Sequence, residues 1–583
     1  MIDTESSIKK AFDEFSKIEN VRILEIKEKR ALNFQINTIV WEVNTEILFS
    51  NQCLNLIFHI SFENHFPFEI PKIYLAPATY DEVKYIPHVD TNRLVCTFDS
   101  EIATTNPEDP LGIIKQCLKR SKEIILDGLS GSNSAEFQEE FVAYWEGKYD
   151  KYESFPKEVL TIIETIIEPE KLKLICLHTK LRIYKYVLHT DNDAAKVFKR
   201  FLSDFDIKFD EVDVFYLENQ KFKFIPPFSL KNINTLDFLV GEEQLKSFKN
   251  FISNISFPKL VISSTLIKGN EFLFGWFHNQ LNPDVKGFRP GKFKLFDALT
   301  KTQSNQLVER ITTDRYTQSR LINRSEGVVS DMHNHSFVIA GVGSIGSNLF
   351  PFLNSFNFPE FKFIDKEVLK LENIGRHFLG FNSIGKFKSK ALSDYAKLRN
   401  PLQIISTKED SIVKVIHKTP EYVNDSDFLF IAIGKKNIED WLGNAIFEGI
   451  IKVPTFFLWV EPYLCAGHCI YIDPLEPTYT NYFEEGYFKF NIISSAEYAN
   501  NNLNLSLKEG GCQTTYIPYS ASNIIGFLSC LFPRIASIIE GSQGNRSKSY
   551  TWVGNTEKII SLGIKISEIG ENYRRGDLIE NIL

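Results

Sequence analysis

The spacing of hydrophobic residues in the first 150 positions predicts one α+β domain. Apolar residues recur every three to four positions in SSIKKAFDEFSKI, which favours a helix with Ser6 or Ser7 as its N-cap. In CLNLIFHISF, large apolar residues occupy alternate positions from Leu54 to Phe62, which is typical of a half-buried strand. Prolines then divide the chain into short extended pieces, and two helical patterns follow, GIIKQCLKRSKEIIL and EFQEEFVAYW.

The remaining chain divides into two further predicted domains. Residues 151–305 contain strand patterns, KLKLICLHTK and KLVISSTLI, and a helical pattern, NDAAKVFKRFLSDF, but no recognisable set of functional groups. We expect a linker or scaffold domain there. From 306 to 583, strand and helix patterns alternate, which predicts a doubly wound, Rossmann-like parallel sheet. The predicted fold class is therefore α/β and multidomain.

Composition narrows the functional classes. The chain has 583 residues, 43% hydrophobic and 24% charged, with a formal net charge of −8, so nothing indicates a basic nucleic-acid-binding surface. The N-terminus lacks the apolar core of a signal peptide, and no apolar run approaches the ~20 residues that span a bilayer. Eight scattered cysteines favour reduced thiols. We expect a soluble, cytoplasmic protein with neither nucleic acid nor membrane as a partner.

Three glycines follow a short apolar strand in FVIAGVGSIGSNLF, and a helical pattern continues behind them. Gly341, Gly343 and Gly346 form a G-x-G-x-x-G, which permits a tight turn and close backbone approach to phosphate at a helix N-terminus. Asp365 ends the next predicted strand, FKFID, where a carboxylate can accept hydrogen bonds from ribose hydroxyls. The other interpretation, that the glycines serve helix–strand packing alone, is weaker. We predict a bound nucleotide.

The residues behind this ribose acid favour ATP over NAD. Asn373, Arg376 and Lys388 follow closely, and attack on an α-phosphate needs fixed cations where negative charge accumulates. Lys386 and Lys390 are interpreted as solvated surface charges. Because nothing in the sequence resembles a hydride-transfer base, an NAD-dependent oxidoreductase is the least favoured function.

The C-terminal end of the chain resembles the ThiF/MoeB and ubiquitin-activating superfamily. The family fingerprint runs G-x-G-x-x-G, then D-x-D/E-x-V-x-x-x-N-x-x-R, then a lysine. The resemblance implies that Asp365 contacts the ribose and that Asn373, Arg376 and Lys388 contact the phosphates. It also implies adenylation of a protein C-terminal carboxylate by ATP with Mg²⁺, and a homodimer.

The sequence departs from this family at two places. In FLFIAIGKKN, Gly434 replaces an aspartate that often helps to hold magnesium, and Asp440 lies on the wrong side of a predicted helix start. The family's arginine finger, in R-Y-x-R-Q, corresponds to DRYTQSR. This segment keeps Arg315 but has Gln318 where the second arginine falls, so Arg320 is the candidate substitute.

One cysteine of the C-terminal region is a candidate nucleophile. Cys512 follows two glycines in SLKEGGCQTTYIPYS, just before a predicted helix, and the segment is similar to the crossover loop of ubiquitin-activating enzymes. The alternative is a buried structural thiol.

The group Cys465, His468 and Cys469 in LCAGHC could suggest zinc, but its spacing and strand-like flanks favour a buried strand, so no metal site is assigned. The remaining cysteines of apolar segments are interpreted as core residues: Cys53, Cys117, Cys176 and Cys530.

The N-terminal domain carries a second candidate thiol. FHISFENHFPFEIPKIYLAP followed by YIPHVDTNRLVCTFD resembles the ubiquitin-conjugating fold, in which Cys96 falls at the catalytic position. The family's His-Pro-Asn is replaced by Pro87-His88-Val89, so the asparagine that would stabilise an oxyanion is missing. His88 is expected either to contribute to catalysis or to serve the structure.

An activating and a conjugating domain in this order resemble the fusion proteins of bacterial CBASS anti-phage operons. The resemblance implies that a cGAS-like nucleotidyltransferase is joined through its C-terminus to a target amine. The leading hypothesis is adenylation, a thioester on Cys512, transfer to Cys96 and amide formation. Two alternatives stay open: a ThiF-type sulfur-carrier activator, and a recognition scaffold without catalysis.

Overall fold

The computed structural model describes most of the chain in two compact units. One unit comprises residues 1–191 and 208–315, and the other comprises 192–207 and 316–583. The residues described are 4–99, 102–149, 153–164, 171–218, 222–254, 257–278, 281–282, 294–325, 335–356, 360–500, 503–508, 515–541 and 546–581.

The N-terminal part of the first unit is a five-stranded antiparallel sheet in the order β1 to β5, with helices beside it. Its elements are α1 (Thr4–Phe15), β1 (Asn20–Ile23), α2 (Ile26–Ala31), β2 (Ile39–Phe49), β3 (Gln52–Phe62), β4 (Lys72–Leu75), α3 (Pro77–Val83), β5 (Leu94–Val95), α4 (Pro110–Ser130), α5 (Glu136–Glu139) and α6 (Phe141–Glu146).

Alternation along β3 directs its apolar side chains into the core against α1 and α4, as the sequence predicts. Phe58 and Ile60 are buried there together with Ile8 and Ile114 of the two helices. The predicted N-cap at Ser6 or Ser7 is wrong, because α1 already begins at Thr4. Helix α4 begins with the side chain of Asp109 accepting a hydrogen bond from Gly112 N, 2.8 Å.

The middle of the chain forms an eight-stranded mixed sheet in the order β10-β11-β12-β13-β6-β8-β7-β9. The elements of this stretch of the chain are β6 (Lys157–Thr161), β7 (Leu172–Leu181), β8 (Tyr184–Thr190), α7 (Asp193–Asp204), β9 (Phe209–Asp213), β10 (Phe215–Tyr216), α8 (Gly241–Ser253), β11 (Lys259–Ile267), β12 (Asn270–His278), α9 (Leu295–Asp297) and β13 (Glu309–Arg315). Of these, α7 belongs to the second unit. The two predicted strands and the predicted helix are present as β7, β11 and α7. Strand β13 pairs with β6 and β12, although the sequence assigns it to the C-terminal domain; the boundaries at 150 and 305 stay predictions.

The aromatic residues of α5 and α6 contribute to the core under the middle sheet. Phe141 and Trp145 are fully buried among phenylalanines such as Phe274. The indole Nε1 of Trp145 donates to the carbonyl of Ile311 at 2.6 Å, and the guanidinium of Arg310 donates to the carbonyl of Trp145. The segment therefore connects the N-terminal domain to the middle sheet within the first unit.

The second unit contains an eight-stranded sheet in the order β16-β15-β14-β17-β18-β19-β24-β25. Its elements are α10 (Gln318–Ser325), β14 (Ser336–Ala340), α11 (Ser344–Leu353), β15 (Glu360–Ile364), α12 (Lys388–Arg399), β16 (Ile405–Lys408), α13 (Ile412–Lys418), α14 (Glu421–Asn424), β17 (Phe428–Ile431), α15 (Lys436–Phe447), β18 (Thr455–Val460), β19 (Ala466–Ile472), β20 (Phe483–Glu484), β21 (Tyr487–Phe488), α16 (Ser495–Ala499), β22 (Leu507–Lys508), β23 (Thr515–Tyr516), α17 (Ala521–Ile539), β24 (Lys548–Val553), α18 (Thr556–Ser561), α19 (Glu568–Asn572) and β25 (Leu578–Asn581).

Strands β14 to β18 are parallel, and the last three strands of this sheet are antiparallel. The strand order reverses between β14 and β17, and ligands of doubly wound sheets bind at such a reversal, beyond the carboxyl ends of the strands. The predicted α/β multidomain fold, with a doubly wound sheet at its C-terminal end, is confirmed.

Among the described residues, one helix, α17, has the length and apolar composition of a membrane span. Its apolar residues, such as Phe527 and Leu531, are buried in the core of the second unit. A core helix has the same composition, so the membrane interpretation is weakly supported.

Four cysteines that the sequence assigns to the core have different environments. Cys117 is buried and Cys176 is half-buried, but Cys53 and Cys530 are exposed, so the prediction is wrong for the last two. Cys53 lies at the edge of the hairpin formed by β2 and β3, where alternation leaves one face in water.

Candidate nucleotide cleft and thiol site

The glycine turn joins β14 to α11, and the physical reason why glycine is suited to the position differs among Gly341, Gly343 and Gly346. Gly341 has φ +87°, and a Cβ on Gly346 would lie 2.0 Å from the carbonyl oxygen of Gly341. These two glycines are therefore required by the turn itself. A Cβ on Gly343 would meet nothing within 4 Å, so the backbone there is open to a ligand.

A cleft of about 770 Å³ opens at this turn, which is a size typical of small-molecule sites. A smaller cavity of about 110 Å³ adjoins it and shares Gly343, Glu367 and Lys388. The larger cleft contains Asn373 and Arg376, and the smaller cavity contains the predicted ribose ligand. The structure thus brings six of the predicted cofactor-binding residues to the two cavities, whereas Gly346 lines neither and packs inside the turn; no observation tests their roles.

Asp365 contacts the turn itself. One carboxylate oxygen accepts a hydrogen bond from Val342 N at 2.7 Å, and the other accepts from Glu367 N at 2.8 Å. Burial raises the pKa of Asp365 above its usual value. Each oxygen keeps a further lone pair, so the carboxylate can still accept a hydroxyl of a ribose in the small cavity.

The two predicted phosphate cations are held by neighbouring side chains. The ammonium of Lys388, only 7% exposed, lies 2.7 Å from Glu367 Oε2. The guanidinium of Arg376 lies over the ring of Tyr519, 5.3 Å from its centroid. Asn373 accepts a hydrogen bond from Lys370 N, which closes the turn in front of Arg376. Both cations therefore face the cleft from fixed positions.

Sequence reasoning missed the residues that support this arrangement. His377 donates from Nε2 to the carbonyl of Val342 at 2.9 Å and accepts at Nδ1 from Leu379 N. Burial lowers its pKa to about 4, so the ring is neutral at pH 7 and can make both bonds. Asn348 donates to the carbonyl of Arg376 at 2.9 Å. The fingerprint spacing shows neither residue, because both act through tertiary hydrogen bonds.

A buried carboxylate lies beside Gly434, where the family has its aspartate. Glu439, on α15, lines the large cleft and accepts a hydrogen bond from Gly434 N at 2.9 Å. Burial raises its pKa to about 7. Mg²⁺ prefers oxygen ligands and often combines one or two carboxylates with substrate phosphates, so Glu439 fits this role. Asp440 instead pairs with Lys436 on the same helix.

The described residues contain no group of three or more histidine, cysteine, aspartate or glutamate side chains that could hold a metal ion alone. Cys465, His468 and Cys469 lie in or beside β19 and are fully buried, as the sequence predicts. Burial raises the pKa of both thiols. His468 Nε2 pairs with Glu461 Oε1 at 2.8 Å, so its role is structural.

Cys512 lies outside the described residues, and its predicted role as a nucleophile stays a prediction. Two short strands flank its segment and pair with each other, β22 and β23. Tyr516 and Ile517, directly behind that segment, line the large cleft. Ser506, ahead of it, also lines the cleft, so described residues on both sides of Cys512 lie beside the nucleotide cleft.

The residues of the predicted arginine-finger segment are described separately, because the boundary between the two units falls between Arg315 and Tyr316. Arg315 ends β13 in the first unit, where Nη1 donates to the carbonyl of Glu271 at 3.0 Å. Tyr316, in the second unit, donates to Asn400 Oδ1 at 2.7 Å. Arg320 lies in α10 and is not among the described residues that line the cleft.

Cys96 is an exposed thiol on the hairpin that ends the N-terminal sheet. Its backbone amide donates to the carbonyl of His88 at 2.8 Å, and Val89 bridges to Val95. Although the residue as a whole is exposed, surrounding protein atoms partly desolvate the sulfur; this desolvation, followed by the charges of nearby carboxylates, raises the pKa of Cys96. His88, with φ +65°, is the nearest backbone partner of Cys96.

Two family models match the chain. Residues 20–153 match prokaryotic E2 family B, and residues 316–490 match the ThiF family. No curated protein matches the sequence.

Solved structures to which the chain is similar include selenomethionine PaaA, at 16% identity over 41% of this chain and 65% of that one, with a TM-score of 0.28. Escherichia coli MccB is similar at 16% identity over 40% of this chain and 62% of its own, with a TM-score of 0.29. MccB with AMPCPP and MccA is similar at 14% identity over 40% and 63%, with a TM-score of 0.27. The chain spans less than two thirds of each of these proteins. From the two family matches, the chain joins an E2-like region to a ThiF-like region in one polypeptide.

Proposed function

We propose that this protein activates the C-terminal carboxylate of a protein substrate with ATP and conjugates it to an amine. The two matched families support ATP-dependent, ubiquitin-like activation and conjugation in general. The observation that carries the adenylation step is the convergence of Gly343, Arg376 and Lys388 on one cleft at the strand-order reversal.

In the first step, an oxygen of the substrate carboxylate attacks the α-phosphorus of ATP, the bond from this phosphorus to the oxygen that bridges to the β-phosphate breaks, and pyrophosphate leaves an acyl adenylate behind. Negative charge accumulates on the phosphates, and Arg376 and Lys388 stabilise it from fixed positions. The open backbone at Gly343 and the start of α11 accommodate phosphate oxygens. A magnesium ion bound with ATP would neutralise phosphate charge, and Glu439 would hold it.

The later steps use two thiols. The thiolate of Cys512 attacks the acyl carbon, AMP leaves, and a thioester forms. The thiol of Cys96 then takes the acyl group by exchange, and Cys512 is released as a thiol. Finally an amine attacks the thioester on Cys96, a C–N bond forms, the C–S bond breaks, and the sulfur takes up a proton. The exposure of Cys96 supports its access to a second protein.

The domain order supports a substrate resembling the cGAS-like nucleotidyltransferases of anti-phage operons, with a C-terminal glycine or a similar residue. We place the reaction in the cytoplasm, where free thiols persist, and we propose a homodimer as the working form. A thiocarboxylate product would instead indicate a sulfur-carrier activator.

The test is incubation of the full chain with MgATP and candidate proteins that end in glycine. We expect substrate-dependent ATP–pyrophosphate exchange and adducts that dithiothreitol removes. Exchange without any adduct would leave an adenylating enzyme whose E2-like region serves recognition. No exchange with any candidate, including a cGAS-like enzyme, would contradict the proposed function.

A further inference from the structure

His88 lies between two carboxylates that belong to α5 and to the residue before α6. Its Nε2 is 2.8 Å from Glu136 Oε2, and its Nδ1 pairs with Glu140 Oε1. Glu140 Oε2 also accepts from the backbone amide of His88 at 2.8 Å and from the hydroxyl of Tyr144 at 3.1 Å. Carboxylates accept at both ring nitrogens, and an imidazole donates from both only when it is charged. This arrangement therefore favours the imidazolium form of His88.

The charges of this cluster stabilise one another. The hydrogen bond to Glu140, the largest cause, raises the pKa of His88 above its usual value, and Glu136 adds to the effect. Burial acts on Glu140 in the opposite sense, but its bonds to His88 lower the pKa of that carboxyl overall. The imidazolium is thus fully present below about pH 6.5 and is lost as the pH rises through its raised pKa.

The cluster touches the thiol site through backbone and charge. His88 and Cys96 face each other across the hairpin, because Cys96 N donates to His88 O. After burial, the groups that raise the pKa of Cys96 are three carboxylates: Glu140, Asp90 and Asp99. Any cation that neutralises Glu140 therefore eases formation of a thiolate at Cys96.

The two glutamates are held in place by the middle sheet. Gln138, between them, donates to the carbonyl of Leu266 at 3.3 Å, and Trp145 donates to the carbonyl of Ile311 at 2.6 Å. Arg310 is only 3% exposed, and its guanidinium donates to the carbonyls of Trp145 and Gly147. The position of His88 is thus set from outside the E2-like sheet.

We propose that Glu136 and Glu140 act as positioning residues that hold the His88 imidazolium beside Cys96, so that its charge compensates Glu140 during acyl transfer. The inference rests on the proposed role of Cys96 as an acyl carrier. When the amine attacks and the C–S bond breaks, the sulfur leaves with negative charge. The imidazolium offsets the charge of Glu140, the carboxylate that opposes this developing negative charge.

The test measures alkylation of Cys96 by iodoacetamide in the full-length protein, with neither ATP nor substrate, from pH 6 to 9. Peptide mass spectrometry follows Cys96 and, as an internal reference, the exposed Cys530. The variants are Glu140→Gln, Glu136→Gln and His88→Gln. The control is His178→Gln, which removes an exposed histidine–aspartate pair, 2.9 Å long, with Asp210 on the middle sheet.

At pH 7 we expect His88→Gln to slow alkylation of Cys96 by about threefold to tenfold. Glu140→Gln should react at least as fast as wild type, because it removes one opposing carboxylate and at most the single positive charge that this carboxylate supports. Glu136→Gln is expected to slow alkylation of Cys96, as His88→Gln does, because His88 loses its proton more easily without the carboxylate of Glu136. The deficit of His88→Gln should shrink as the pH rises, since wild-type His88 then loses its own charge. His178→Gln should behave as wild type.

If Glu140→Gln and His88→Gln change the alkylation rate of Cys96 in the same direction, the cluster has a structural role alone and the inference is overturned. Unchanged alkylation rates in both variants would overturn it as well. The assay needs no conjugation activity. Failure of the proposed function would instead appear as absence of any thioester in the wild-type protein, whatever the alkylation pattern shows.

Discussion

The ammonium of Lys388 lies 2.7 Å from a carboxylate oxygen of Glu367, and both side chains line the nucleotide cleft. The pair lowers the pKa of Glu367, chiefly through their hydrogen bond. Glu367 is 55% exposed, whereas Lys388 is almost fully buried. A phosphate that enters the cleft can therefore contact an ammonium that is already fixed in place.

Replacement of Lys388 by alanine is expected to reduce substrate-dependent ATP–pyrophosphate exchange by ~10²–10³, the usual effect of losing one fixed donor to developing charge. Arg376→Ala should have an effect of the same order. The matched control is Lys390→Ala, on the same helix, whose ammonium pairs with Asp394 at the surface. Wild-type exchange in both cleft variants would refute the assignment of these cations.

The glycine turn allows binding and stability to be separated. Gly343→Ala should fold normally but bind ATP weakly, because its methyl group enters open space where phosphate approaches. Gly346→Ala should lower the melting temperature, because its methyl group would collide with the carbonyl oxygen of Gly341. Calorimetry of unfolding and of ATP binding measures both effects. A Gly343→Ala protein that binds ATP as tightly as wild type would show that phosphate lies elsewhere.

Glu439 should make the stability of the second unit depend on pH. Its pKa is raised to about 7 in the folded protein, against 4.5 for the free side chain. The unfolded chain ionises first, so stability falls as the pH rises from about 4.5 to 7, by roughly 3 kcal/mol in the limit.

Glu439→Gln should remove that loss, and its melting temperature relative to wild type should therefore be higher at pH 8 than at pH 5. Asp440→Asn, which changes the exposed neighbour, is the control. The measurement is calorimetric unfolding without nucleotide at both pH values. If the melting temperatures of Glu439→Gln and wild type differ by the same amount at pH 5 and pH 8, the pKa of Glu439 is not raised.

The two candidate thiols predict different products. Cys512→Ala should retain pyrophosphate exchange, because adenylation needs no cysteine, but should give no thioester. Cys96→Ala should load Cys512 and stop there. Non-reducing gels with and without dithiothreitol distinguish these outcomes, and Cys530→Ala, which removes an exposed thiol on α17, is the control. Amide product from Cys96→Ala would show that the E2-like region only recognises a partner.

Transfer to Cys96 should also accelerate with pH. The pKa of this thiol is raised, so its thiolate fraction still increases tenfold per unit across the neutral range. Single-turnover loading of Cys96 between pH 6.5 and 8.5 measures the slope. A rate independent of pH would indicate that thiolate formation does not limit the exchange.

The sequence by itself determined the elements and the nucleotide turn. Period-two and period-3.6 patterns are local, so β3, β7, β11 and α7 could be recognised from their own residues. The glycine spacing of 341–346 is equally local, since the turn requires the absence of side chains at fixed positions. The parallel sheet followed from the alternation of strands and helices.

Tertiary structure alone decided which distant groups meet. Glu136 and Glu140 reach His88 across about fifty positions of sequence, and Asp365 reaches the amide of Val342 across 23 positions. The sequence pattern places Phe141 and Trp145 in the last helix of the predicted N-terminal domain, yet both are buried in the core under the middle sheet. A hydrophobic pattern states that a face is buried but not against what, because the partner is chosen by the packing of the whole chain.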